Sequence, residues 1–270
     1  LDPPLKGTRW SVPTLFVLLG VFPLFMHLDT LPIRVWDEAR QAINAMEMWE
    51  NRDFLVTHFE GDPEMWSTKP PLLIWAQVAF FSLLGPGELA LRLPSAIAAF
   101  LTGWFLLRLC TRELNAPWMG LMACLVLYTN EGYINMHVAR GGEYDAPMIL
   151  WMTTSAWALF RWSLHGRSTD LLWCMLLLAL GVLTKSVQAL LFVPGMALYL
   201  LYRGQLLQML RQRVFWTGCA LFTVLVGGFY MAREAVNPGY LQAVWDNELG
   251  GRYASVLSGH DHPWDHYIRS

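Results

Sequence analysis

The sequence predicts an all-α, multi-pass transmembrane helical bundle of about seven spans, with interfacial amphipathic helices in its first outer loop. Three observations carry that prediction. The 270-residue chain is 55% hydrophobic and only 15% charged, against roughly 25% charged residues in an average soluble domain. Its apolar residues gather in runs close to the roughly 20 residues that cross a bilayer. The basic residues between those runs fall on one side of the predicted membrane. This composition excludes a disordered chain and argues against an ordinary soluble enzyme. A net charge of −2 gives no basic excess for nucleic acid.

The apolar runs lie at about 11–28, 89–107, 116–137, 146–162, 171–184, 187–202 and 214–231. The first could imitate a signal-peptide core, but Pro13 and Pro23 and the lack of a small-residue cleavage site favour a retained helix. Lys6 and Arg9, Arg108 and Arg112, Arg161 and Arg167, and Arg203, Arg211 and Arg213 all fall on one side, with only Asp2, Glu113 and Asp170 beside them. The positive-inside rule then puts the N-terminus in the cytoplasm and residues 29–88 outside. Cys110, Cys124, Cys174 and Cys219 all sit within apolar runs and read as small membrane-core residues. No repeat, low-complexity tract or linker divides residues 1–270. The start at Leu1 suggests a piece of a longer protein.

The outer loop opens with DEARQAINAMEMWE, which puts Ala39, Ala42, Ile43, Met46 and Trp49 on one helical face and turns Arg40, Glu47 and Glu50 elsewhere. That pattern suits a helix lying in the interface. Residues 70–85, PPLLIWAQVAFFSLLG, form another apolar run. As a span it would invert every later loop, so it reads as a second interfacial helix; the competing reading is a span at which the charge rule fails.

Charged groups near membrane depth usually face a cavity. Asp37 and Glu38 open the first interfacial helix at its positive end, which favours ionised carboxylates able to act as a general base or hold a cation. They also read as a solvated helix start. Lys69, fixed by Pro70-Pro71, stands at a helix N-terminus where the dipole disfavours it, a placement that an anion would explain; snorkelling to lipid phosphate is the plainer reading. Arg140 in RGGEYD and Lys185 in LTKSVQ fall on the same outer side. Each alone could anchor to lipid headgroups. His260, His262 and His266 beside Asp261 and Asp265 could ligate a metal or simply be solvated.

The motifs DEARQAINAMEM, STKPPLLIW, GELALRLPSAIAAFLTGWFLLRL, ARGGEYDAP, LTKSVQALLFVPG, NELGGRY and GHDHPW occur in this order. In this the chain resembles the GT-C superfamily of lipid-linked-sugar glycosyltransferases. The closest branch is the bacterial one related to protein O-mannosyltransferases and to the aminoarabinose transferase that modifies lipid A. The resemblance implies the N-terminal catalytic half of a longer protein in the bacterial inner membrane, with its active site on the periplasmic face. It implies a polyprenyl-monophosphate sugar donor, hexosyl or pentosyl transfer to a lipid, glycan or protein acceptor, contact with membrane lipids, and no nucleotide cofactor. Carried over by motif, Asp37 would be the catalytic carboxylate. Arg40 and Lys69 would bind the donor phosphate, with Arg140 as a further substrate-binding residue. Glu38, Glu143 and Asp145 would be supporting acidic groups. The aminoarabinose branch usually places an acidic residue, able to help bind a divalent metal, just before the lysine of its KPP motif. Here that position is Thr68, which leaves His260 as the candidate ligand and puts the metal in doubt.

The charges suggest chemistry. Displacement at the anomeric carbon makes a leaving phosphate that Lys69 and Arg40 could stabilise, and Asp37 could take the acceptor's proton. A single base without a second carboxylate nucleophile favours inversion. The rival class is a polytopic transporter or flippase, which predicts discontinuous helices and paired repeats near the midplane. A membrane scaffold without catalysis is the third reading.

Overall fold

The computed structural model describes residues 8–135 and 137–250. Lys6, His260 and the histidine cluster around it lie outside those residues. The described chain is almost wholly helical. Helix α1 (Thr8–Phe25) leads to α2 (Asp37–Asn51), then to a two-residue antiparallel pair, β1 (His58–Phe59) and β2 (Asp62–Pro63). Helices α3 (Leu72–Leu84), α4 (Glu88–Arg112), α5 (Pro117–Thr129) and α6 (Glu131–Ile134) follow, then α7 (Asp145–His165) and α8 (Ser168–Lys185). A 3-10 stretch (Ser186–Phe192) runs into α9 (Val193–Tyr202), α10 (Leu206–Leu210), α11 (Arg213–Val236), α12 (Tyr240–Val244) and a π turn (Trp245–Gly250).

Glu88–Arg112, the helical run Ser168–Tyr202 and Arg213–Val236 are long and apolar enough to cross a membrane. Val12–Phe25, Leu72–Leu84 and Pro117–Thr129 are shorter apolar helices. The predicted span at 116–137 is thus curtailed. The Asn130 side chain accepts the Tyr133 N–H at 3.1 Å, ending α5 and starting the single turn α6. The predicted spans at 171–184 and 187–202 follow one another without an intervening loop, yet the chain reverses between them. Ser186 takes φ +54°, and a Cβ on Gly181 would stand only 3.1 Å from that of Ala189. The returning arm brings the Tyr199 hydroxyl to 3.2 Å from Ser163 Oγ.

Ionic contacts distinguish the two ends of the bundle. At one end Glu113 meets His165 at 2.8 Å, and Arg161 reaches Glu113 and Asp170 at 3.8 and 3.6 Å. At the other end Lys185 pairs with Asp145. Helix α3 starts just after Lys69 and leads into α4 at this second end; midway along α3, Gln77 Nε2 donates to the carbonyls of Leu91 and Gly142. Both termini of α3 therefore lie at the same end, in keeping with the interfacial reading of residues 70–85.

Apolar side chains fill three cores. Phe16, Leu24, Ala99, Cys124 and Tyr128 join α1, α4 and α5. Ala45, Met48, Ile74 and Leu91 join α2, α3 and α4. Trp162, Leu171, Cys174 and Leu200 join α7, α8 and α9. The cysteines are free thiols, three of them buried, as expected of membrane-core residues. Helix α11 instead presents Val224 at 68% exposure and Met231 at 64%, apolar surface suited to lipid or to further helices.

Helix α2 departs from its expected face. Glu38, Gln41, Asn44, Ala45 and Met48 are buried, whereas Ala42, Met46 and Trp49 are half-buried against the α3–α4 core. Polar side chains point inward because partners await them: Asn44 donates to the His58 carbonyl at 2.6 Å, and Glu38 meets Arg92.

Candidate active site

Glu38 fixes the start of α2. Arg92 Nε and Nη2 donate to its carboxylate at 2.7 and 3.0 Å, and the N–H groups of Arg34 and Gly142 add bonds at 2.8 and 2.9 Å. Arg92 also donates to the carbonyls of Leu28, Leu31 and Pro32. Burial opposes the charge on Glu38. The Arg92 hydrogen bonds, the two backbone N–H donors and the Arg92 charge outweigh it and hold the carboxyl below its ordinary value. Glu38 is 1% exposed, so this expected supporting acid is a tie between α2, α4 and the α6–α7 loop, with its carboxylate turned away from the cavity.

One helix position earlier, Asp37 is exposed and lines a cavity of about 110 Å³ with Arg40, Gln41, Ser67, Lys69, His137, Glu143, Tyr144, Asp145 and Lys185. Each basic side chain there has a carboxylate partner. Arg40 pairs with Glu64 beneath the rings of Phe59 and Trp66, whose centroids lie 4.0 and 4.7 Å from its guanidinium carbon. Lys69 stands 3.6 Å from buried Glu248, and Lys185 meets Asp145. His137 Nδ1 lies 2.8 Å from Glu143 Oε1. Burial pushes the Glu143 carboxyl up; hydrogen bonding and charge from His137 pull it down, and Asp37 and Asp145 push it up again. Its net direction is upward. Tyr144 is likewise pushed up, by burial first and then by Glu64, Glu248 and Asp37.

The 64–69 strap is held from far along the chain. Arg233 donates to the Glu64 carbonyl, the Tyr240 hydroxyl to that of Thr68 and the Asn247 amide to that of Met65. The loop before α7 is set as closely. Ser95 donates to the Glu143 carbonyl at 2.8 Å, and a Cβ on Gly142 would lie 2.7 Å from Leu91 Cγ.

Of the residues expected from sequence, Asp37, Arg40, Lys69, Glu143 and Asp145 converge, and Lys185 joins them as the one-sided charge pattern implied. Arg140 does not. Its guanidinium donates to the Pro23 and Met26 carbonyls at 3.1 and 2.7 Å, tying the end of α1 to the loop. Glu143 and Asp145 share the cavity with Asp37, but both are paired, with His137 and with Lys185. Thr68 is buried, and its Oγ1 has no hydrogen-bond partner among the described residues. A neutral hydroxyl there does not fit a metal site of the kind the KPP-adjacent acid would build. Gln41, His137, Tyr144 and Glu248 were not singled out from sequence. Their one signal was position, within or next to the quoted motifs.

Fold and site define a polytopic helical membrane protein whose one end carries a cavity of paired acidic and basic groups. The chain belongs to the dolichyl-phosphate-mannose-protein mannosyltransferase family, whose profile matches residues 68–229, and the resemblance read from the motifs holds at that level. It is 29% identical over 219 residues to the undecaprenyl phosphate-alpha-4-amino-4-deoxy-L-arabinose arabinosyl transferase of Aeromonas salmonicida, covering 77% of this chain and 37% of that protein. Its fold matches the crystal structure of ArnT from Cupriavidus metallidurans bound to undecaprenyl phosphate, with a TM-score of 0.75 at 20% identity over 90% of this chain and 45% of that one. The apo form of the same protein matches with a TM-score of 0.68. The chain therefore spans less than half the length of these proteins.

Proposed function

We propose that this chain carries the catalytic region of a membrane glycosyltransferase that takes a sugar from a polyprenyl-monophosphate donor and passes it to a lipid, glycan or protein acceptor at the outer face of the inner membrane. One observation carries the reading: an exposed carboxylate, Asp37, shares a small cavity with Lys69 and Arg40 at the end of the bundle opposite the arginine-rich joints. The likeness to a protein crystallised with undecaprenyl phosphate supports the donor class.

In this reading the acceptor oxygen bonds to the anomeric carbon as the bond from that carbon to the phosphate oxygen breaks. Asp37 takes the acceptor's proton. Lys69 and Arg40 receive the charge that develops on the departing phosphate. Arg40 is already oriented by Phe59, Trp66 and Glu64. Among the cavity's carboxylates Asp37 suits the base best, because Glu143 is buried against His137 and Asp145 is engaged by Lys185.

The test is incubation of the purified intact protein with an undecaprenyl-phosphate sugar in detergent. Acceptor-dependent release of undecaprenyl phosphate is expected. Movement of the donor between the two leaflets of reconstituted vesicles, with no cleavage in detergent, would instead establish the transporter or flippase reading.

A further inference from the structure

Helix α2 buries three polar side chains, Glu38, Gln41 and Asn44. Two of them have partners that explain their burial: Glu38 meets Arg92, and Asn44 donates to the His58 carbonyl. Gln41, between them, has none. It is 5% exposed, its Oε1 is buried without a hydrogen-bond partner, and no other bond of its side chain to the described residues compensates. Gln77 also leaves its Oε1 unpaired, but its amide nitrogen serves the carbonyls of Leu91 and Gly142. Gln41 lies one turn beyond Asp37 and one turn before Ala45 on the same face of α2. Ala45 is sealed in the core between α2, α3 and α4, whereas Asp37 and Gln41 both line the outer-end cavity. An apolar side chain at 41 would extend that core, and a buried amide without a partner is costly. The packing therefore has no use for the amide, and the cavity is where it can be satisfied.

We propose that Gln41 is a specificity-determining residue that binds a hydroxyl of the transferred sugar, on the ring carbon next to the one that reacts. The inference rests on the transferase reading above. An amide offers an acceptor oxygen and donor hydrogens, and a hydroxyl is a group that can use both. A phosphate offers acceptors alone, which suit the cationic Lys69 and Arg40 and leave an amide oxygen without a donor. Asp37 takes the proton of the oxygen that attacks the anomeric carbon, and side chains one helical turn apart are neighbours. Gln41 is therefore placed to reach the substituent beside that carbon. A hydrogen bond to a hydroxyl there strengthens as positive charge builds on the ring. A sugar without that hydroxyl fills the cavity and leaves the amide unpaired, so the site rejects it.

The test uses the intact protein in detergent with undecaprenyl-phosphate mannose, undecaprenyl-phosphate arabinose and the 2-deoxy counterpart of each. Failure of both parent donors to release undecaprenyl phosphate would fell the transferase reading, and this inference with it. With the parent donor that turns over, the ratio of kcat/KM for parent to 2-deoxy donor is measured in wild type and in Gln41→Met. The wild-type ratio should be larger by at least about fivefold; comparing ratios cancels the deoxy sugar's own greater lability. Methionine is close to glutamine in shape and needs no partner, so the melting temperature of Gln41→Met should equal or exceed that of wild type. Gln41→Leu should behave in the same way and serves if the methionine variant does not fold. An unchanged ratio in a folded variant would overturn the inference and leave the transferase reading standing. So would a lowered melting temperature in both variants at unchanged transfer, the mark of an amide that only holds structure.

Discussion

Asp37 and Glu38 are adjacent acids with opposite fates, because a step of about 100° around the helix turns one toward the cavity and the other toward Arg92. Asp37→Asn should preserve the fold, since the side chain is exposed and makes no capping bond. Turnover with a polyprenyl-phosphate sugar should fall by about 10²–10⁴-fold. A stable Asp37→Asn enzyme with near wild-type transfer would remove the base. For Lys69→Met, loss of one charge-assisted bond to phosphate should cost about 1.5–3 kcal/mol, read as weaker donor use at unchanged expression. An unchanged donor KM and kcat would take Lys69 out of the donor site. At this scale the sequence was legible where a residue's role is set by its own motif, as for Asp37, Arg40 and Lys69. It was not legible for Arg140, whose partners are backbone carbonyls at the end of α1 and just after it, more than a hundred residues earlier, nor for His137, whose meaning lies in meeting Glu143 and Asp37 in space.

At the scale of elements, the Glu38–Arg92 pair and Gly142 hold α2, α4 and the α6–α7 loop in register. Arg92→Met would leave Glu38 buried without its cation, and should destabilise the protein by about 3–5 kcal/mol, seen as a lowered melting temperature in detergent. The folded-state pKa of Glu38 lies below its ordinary value of 4.5. Its contribution to stability is therefore complete above about pH 4.5 and lost as pH falls through the lowered folded-state value. Glu38→Gln should accordingly show a shallower fall of melting temperature with acid than wild type, and equal slopes would refute the assignment. Gly142→Ala places a methyl against Leu91 and the Gln77 amide. Overpacking of this kind costs about 1–3 kcal/mol, and displacement of the neighbouring Glu143 should lower transfer by more than the loss of folded protein explains. Helix positions were largely legible from apolar runs and prolines. The inward polar face of α2 was not, because periodicity records which residues are apolar and says nothing of a buried arginine waiting opposite.

For the whole molecule, the grouping of Arg161, His165, Glu113 and Asp170 at one end and the cavity at the other is the arrangement that the one-sided loop charges foretold. Cysteine labelling in intact cells should find Arg108→Cys and Arg167→Cys reactive only from the cytoplasm and Glu60→Cys only from outside. Labelling of Glu60→Cys from the cytoplasm alone would invert this topology. The strap carrying Lys69 also has a consequence in time. Its carbonyls are held by Arg233, Tyr240 and Asn247, which follow their partners by 169, 172 and 182 residues. At about 5–20 residues per second, a ribosome takes roughly 10–30 s to add that much chain. Throughout that interval the nascent protein has the strap in place without its clamps. Site assembly is therefore a late event of biogenesis, and a chain released before α12 would enter the membrane with Arg233 alone to fasten its lysine strap.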